Sequence, residues 1–209
     1  ANAGTFVAIN GKLVFAGSQT VTYAGNVRYL QVDGAAVKLA TDLTLTNNGS
    51  LTGSGNLSGV IGTEKLIVTS SYTDNFSGTI QNFTFNSPFG NPLALSQDLN
   101  VTGNLAILNS AAINGPGKIK VAGNASSNTA YNTNTTISLV GSGVQTLTGT
   151  FVSLDINQAA GGSIKLASDV TLTNSGTLTG SGSITGQIGT EKLIVTSSYT
   201  DNFSGTIQN

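Results

Sequence analysis

The chain has 209 residues, of which only 8% are charged, with eight basic and nine acidic side chains and a formal net charge of −1; an ordinary soluble domain carries about 25% charge. It contains no Cys, His, Met or Trp, which excludes a disulfide framework, a thiolate nucleophile, a His-based triad and any Cys or His metal site. No apolar run approaches the ~20 residues of a membrane-spanning helix, and Arg28 with seven scattered lysines builds no basic patch for nucleic acid.

In chain order, Lys12–Ala16, Val27–Val32, Lys65–Thr69, Phe83–Asn86, Lys118–Ala122 and Ser163–Ala167 are predicted as short strands with apolar residues alternating inward. Gly, Asn, Asp and Ser punctuate them at short intervals, as turns require. No stretch carries a helical period with caps. The 27 glycines argue against long helices, since each costs about 1 kcal/mol there. The alternation and the near-neutral charge argue against a disordered Gly/Ser/Asn-rich chain.

The strongest signal is internal repetition. Ile61–Asn82 and Ile188–Asn209 both read IGTEKLIVTSSYTDNFSGTIQN, an offset of 127 from Ile61 to Ile188. Upstream, KLATDLTLTNNGSLTGSGNLSG from Lys38 matches KLASDVTLTNSGTLTGSGSITG from Lys165. Further back, Gln19–Thr22 faces Gln145–Thr148 and Leu30–Asp33 faces Leu154–Asn157, with gaps beside Gly or Ala. Residues 83–209 therefore read as one full period and 1–82 as the end of the preceding one, together forming one continuous unit. The start at Ala1, without Met, and the in-phase end fit a mature form or a piece of a longer tandem array. A weaker repeat lies inside the period: Asp42–Thr46, Asp98–Thr102 and Asp169–Thr173 are alike, at spacings of 56 and 71 (Asp42 to Asp98, Asp98 to Asp169). Each is followed by a similar turn, Leu51–Gly55, Ile113–Gly117 and Leu178–Gly182.

Many short strands admit a sandwich, a barrel or a solenoid. A β-sandwich array explains the long repeat but not the smaller one, so the expected fold is all-β: a right-handed parallel β-helix (β-solenoid) built from tandem ~127-residue repeats. At roughly 20 residues per coil, the period holds about six coils, the 56 and 71 spacings about three each, and the chain about ten, or roughly 50 Å at ~4.8 Å per coil. Leu, Ile and Val then form inward ladders, while Asn and Gly occupy corners in left-handed backbone geometry. Charges stacked in register repel, so a charge-poor chain suits long parallel ladders.

The run GSGVQTLTGTFVSLDINQAAGGSIKLASDVTLTNSGTLTGSGSITG, Gly141 to Gly186, resembles repeats of giant bacterial surface and secreted proteins, the filamentous-haemagglutinin-like and autotransporter-passenger-like adhesins. KLIVTSSYTDNFSGTIQN, from Lys65 and again from Lys192, is similar to a passenger-type repeat. The resemblance covers most of the chain. It implies a right-handed parallel β-helix exported to the cell surface as a stalk, adhesin or coat component, with no site residues to carry over. The long, near-perfect period departs from the passenger pattern.

Candidate sites are few. The acids are Asp33, Asp42, Glu64, Asp74, Asp98, Asp155, Asp169, Glu191 and Asp201, with no adjacent pair and no Asp-x-Asp. A polysaccharide lyase or hydrolase needs clustered carboxylates, commonly with a base nearby. Here Asp42/Asp169, Glu64/Glu191 and Asp74/Asp201 are repeat copies, and solvated turn charges or Glu64–Lys65-type surface pairs explain them. Asp42, Asp98 and Asp169 sit too many coils apart to share a calcium ion, and each is expected to accept hydrogen bonds from the N–H groups that follow it. Thr44-Leu45-Thr46, Thr146-Leu147-Thr148 and Thr171-Leu172-Thr173 raise an ice-binding face, but that needs such a triplet on nearly every coil and these recur only every few; β-propensity and Thr–Thr packing on an exposed sheet are the preferred reading. Tyr72, Phe76, Phe83, Phe85 and Phe89 suggest either a carbohydrate platform or an inward aromatic stack. Triplets such as Asn75-Phe76-Ser77 and Asn124-Ala125-Ser126 arise by chance in so Asn- and Thr-rich a chain.

The sequence thus leads to the expectation of a structural rod of a bacterial surface or extracellular protein, an adhesin stalk or a filament or surface-layer subunit. No catalytic residue, cofactor or metal is assigned. Other copies stacked end to end are the expected partners, with a host-cell or surface-glycan receptor unidentified. Ice or carbohydrate binding, and more remotely polysaccharide cleavage, are the alternatives.

Overall fold

A computed structural model describes residues 11–21, 26–33, 36–88, 91–109, 112–128, 135–173 and 175–208. Phe89 and both chain ends lie outside the described residues. Every strand pairing is parallel, and no described residue is helical. Strands on one face pair with strands one circuit later in the chain: Leu43 with Leu66, Leu66 with Phe83, Phe83 with Leu105, and Leu105 with Ala125. Pairing across a full circuit of the chain is what defines a β-solenoid. The ladder from Gln19–Val21 to Thr200–Phe203 holds ten strands, about nine turns, or ~43 Å at ~4.8 Å per coil.

The cross-section has three ladders. One is the ten-strand sheet. The other two share a sheet because a few strands bend across a corner. Leu43–Gly53 pairs with Leu66–Val68 through Leu43–Leu45 and with Tyr72–Phe76 through Gly49–Gly53. The bend falls at Asn47 and Asn48, with φ of 58° and 56°. Asparagine enters that left-handed region at lower cost than other side chains. The matching corner of the second copy uses Ser175, φ 56°, in place of Asn48.

Period-two alternation sends one residue in two inside. Leu57, Ile80, Val101, Val121, Leu139 and Ile156 stack in one inward row, all buried. Each buried aliphatic side chain contributes roughly 1.5–3 kcal/mol. Because each coil is short, it cannot enclose a core alone; the coils above and below complete it.

Corners are held by side chains that reach the next coil. Asn82, Asn104 and Asn124 form a ladder: Asn104 N–H donates to Asn82 Oδ1 at 3.0 Å, Asn124 N–H to Asn104 Oδ1 at 3.0 Å, and Thr146 N–H to Asn124 Oδ1 at 2.8 Å. Each amide oxygen accepts from a backbone N–H of the next coil that would otherwise lack a partner there.

The predicted strands recur. Lys12–Ala16 and Phe83–Asn86 keep their predicted bounds. Ser163–Ala167 is longer, Ser163–Leu172, because it continues around a corner.

Candidate functional site

Asp42 and Asp98 each precede a strand and Asp169 lies at the bend within Ser163–Leu172; each accepts a hydrogen bond from a backbone N–H of the following coil: Lys65 at 3.1 Å, Lys118 at 2.9 Å and Lys192 at 2.8 Å. The expected donors were the N–H groups just after each Asp. In a solenoid those groups already point along the ladder into the next coil, so the carboxylate satisfies the strand beyond. The three acids also precede three different ladders, those of Leu43–Leu45, Leu99–Val101 and Val170–Leu172.

From the corner at Asp98, two ion pairs reach onto the ten-strand ladder, where Lys120, Ser138, Asp155 and Thr179 stand in one row. Lys120 Nζ lies 2.7 Å from Asp98, and Lys118 Nζ lies 3.2 Å from Asp155. Ser138 Oγ and Thr179 Oγ1 both donate to Asp155 at 3.0 Å. The Lys120 ammonium, then the Lys118 N–H, holds Asp98 below the usual carboxylate range. Burial pushes Asp155 upward, but donors from Lys118, Ser138 and Thr179 together outweigh it and leave its carboxyl lowered. Both groups are held as carboxylates, and neither is tuned as a general acid. Asp33 accepts a hydrogen bond from the Gln31 side chain.

Glu64 does not form the expected surface pair with Lys65. It is buried at a turn, where its carboxylate accepts from Ile61 N–H at 3.2 Å, and Glu191 repeats this with Ile188 N–H at 3.2 Å. Lys65 instead lies 3.8 Å from Asp42. The capping is a local consequence of the Ile-Gly-Thr-Glu turn, which directs N–H groups at the carboxylate three residues on.

Asp74 departs furthest from a solvated turn charge. It is completely buried, between Leu51 and Leu95 in its ladder. Tyr72 Oη donates to its Oδ1 at 2.9 Å, while Oδ2 has no hydrogen-bond partner. Burial raises its pKa from 3.8 to about 7, against the lowering effect of donors from Tyr72 and Phe76. Burial, then the Asp74 charge, pushes Tyr72 well above the ordinary tyrosine range. A raised acid in a cleft is a mark of catalysis; this one is sealed in the solenoid interior. The same pair in the second copy, Tyr199 and Asp201, lies on the last described coil, where Asp201 is exposed.

The aromatic candidates turn inward. Tyr72, Phe76, Phe83 and Phe85 are buried, with the Tyr72 and Phe83 rings tilted 43° at 6.3 Å. The Thr triplets do not align. The row through Thr44 continues as Ile67, Thr84, Ala106, Ser126 and Thr148, and Thr171 stands beside Ile194.

Among the described residues, depressions open on the surface. A groove of about 490 Å³ is lined by Ser18, Ala36, Ser54, Gly55, Asn56, Ser77, Gly78 and Thr79. A smaller one of about 270 Å³ lies along the asparagine corner, by Lys65, Asn82 and Asn104. No acid lines either. Among the described residues, no three acids lie close enough to hold a metal ion. Asp42, Asp98, Asp155 and Asp169 bond from coil to coil, whereas Asp33, Glu64, Asp74 and Glu191 bond within their own strand or turn. Comparison with known proteins found no matching family model, no matching curated protein and no matching solved structure.

Proposed function

We propose that the chain is part of a structural rod, a stalk or filament subunit of a bacterial surface or extracellular protein, whose repeats continue end to end. The observation that carries this reading is the contrast between two copies of one sequence. In the first copy, Val68 and Ile80 are 0% and 1% exposed, covered by the coil that begins at Phe83. Their counterparts Val195 and Ile207 are 44% and 42% exposed. The repeat is built to be covered by another coil, and its open edge presents strand N–H and C=O groups beside apolar side chains. The first copy shows what fits there: a strand like Phe83–Asn86 seated on Leu66–Val68.

A rod needs length and resistance to unwinding, and stacked coils supply both. Resemblance to adhesin repeats supports the extracellular setting, as does the absence of Cys, His, Met and Trp. Two observations weigh against a binding role: Tyr72, Phe76, Phe83 and Phe85 are internal, and the Thr triplets do not stack in register.

Light scattering and small-angle X-ray scattering on the 209-residue chain test the proposal. Elongated multimers that grow with concentration are expected. A compact monomer, unchanged at high concentration, would sink it.

A further inference from the structure

The two copies of the repeat do not lie on the same side of the solenoid. In the first copy, Asn56–Gly59 and Thr79–Ile80 belong to the ten-strand ladder. That ladder continues through Leu99–Val101, Ile119–Val121, Thr136–Leu139 and Ser153–Asn157. It then runs into Thr177–Ser181 and Thr200–Phe203. Those strands match Ser50–Ser54 and Thr73–Phe76, which in the first copy form the neighbouring ladder. The true counterparts of Asn56–Gly59 and Thr79–Ile80, Ser183–Gly186 and Thr206–Gln208, sit in the ladder that descends from Leu43–Leu45 and Leu66–Val68. Every element has moved one face forward.

Six pairing steps lead from Leu43 to Leu166 on one face, while the counterpart of Leu43 is Val170, on the next face. The period is therefore six and one-third coils rather than six. The smaller repeats obey the same rule, since Asp42, Asp98 and Asp169 fall before three different ladders.

We propose that tandem copies of this repeat are related by a threefold screw: each copy turns by about 120° and advances ~30 Å, at ~4.8 Å per coil. This rests on the reading of the chain as part of an array. Whatever a copy displays then appears in three rows around the rod, each row repeating after three copies, ~90 Å at the same rise per coil. Ile61 and its counterpart Ile188, 80% exposed in both copies, are one such feature. A ligand of the repeat surface meets it from every side of the rod, and lateral contacts are not confined to one edge.

The third-of-a-turn step can be read in the 209-residue chain itself, which has no native cysteine. Ile61 and Ala160 occupy the same corner, between the ten-strand ladder and the next. Spin labels on I61C/A160C are expected ~24 Å apart, five coils along one corner. Labels on A160C/I188C are expected roughly 20 Å apart, across the width of one face. A period of whole coils would instead place Ile188 about 5 Å from Ala160, one coil away, and the strong dipolar broadening that follows would overturn the proposal. A longer chain, made by adding further copies of residues 83–209 after Asn209 and marked at each Ile-Gly turn, should show by electron microscopy three rows of markers, successive markers being ~30 Å apart along the axis. Markers along a single side would overturn the screw. Failure of the longer chain to form a straight rod would instead overturn the array reading, while the label distances still decide the step.

Discussion

Asp74 shows how one residue ties the solenoid to pH. Its folded pKa of about 7 exceeds its ordinary 3.8, so between about pH 4 and 7 the folded chain holds a proton that the unfolded chain has released. Stability falls as pH rises through that window and levels above it; the loss is up to roughly 4 kcal/mol. Asp74→Asn mimics the protonated carboxyl. Urea midpoints should be nearly equal for the two proteins at pH 4, with the variant a few kcal/mol more stable at pH 8. Parallel pH profiles for wild type and variant would contradict the buried-acid reading. Ser175 offers a smaller effect. It adopts the left-handed geometry of Asn48 in the other copy, and its N–H donates to Ser197 as that of Asn48 does to Ser70. Ser175→Asn should stabilise by about 0.5 kcal/mol, seen as a small upward shift of the denaturant midpoint.

At the scale of the element, corners rather than strands are the sensitive parts. Asn104 accepts from Asn124 N–H, and its own N–H is satisfied by Asn82. Asn104→Ala removes the acceptor of the Asn124 N–H at an exposed corner, where water can replace it, and should cost about 0.5–1.5 kcal/mol. Amide exchange should accelerate at Asn124 first; unchanged protection there would remove the role given to the asparagine ladder. Glycines divide by contact. A Cβ on Gly78 would overlap the Gly55 carbonyl oxygen and the Phe76 ring, while one on Gly143 meets nothing within 4 Å. Gly78→Ala should destabilise by several kcal/mol and Gly143→Ala by less than about 0.5 kcal/mol, compared by thermal melts of the two variants.

For the whole molecule, stability is a sum over coils and the interfaces between them. Appending one more copy of residues 83–209 buries Val195 and Ile207 and encloses Asp201 as Asp74 is enclosed. The urea m-value should rise with the added buried surface, and the pH slope should steepen because two buried acids replace one. Separate transitions for the two portions would show that the added copy does not couple to the chain it follows.

The all-β class, the repeat and the approximate length of a coil were legible in the sequence because they rest on local quantities: residue alternation, turn-forming Gly and Asn, and self-similarity. Inward placement of Phe76, Phe83 and Phe85 followed from the same alternation. The fate of the acids was not legible. Asp74 and Asp201 have identical neighbours in the chain, yet one is sealed and the other exposed, because burial is conferred by the coil stacked above. The hydrogen bonds of Asp42, Asp98 and Asp169 were placed within one turn by local reasoning and belong to Lys65, Lys118 and Lys192 of the next coil. The rotation between copies was hidden for a related reason. The repeat period says how far apart two copies lie along the chain, but small differences in corner length set how many circuits that distance makes. Only the strand pairing, which fixes where each circuit closes, decided that it makes six and one-third.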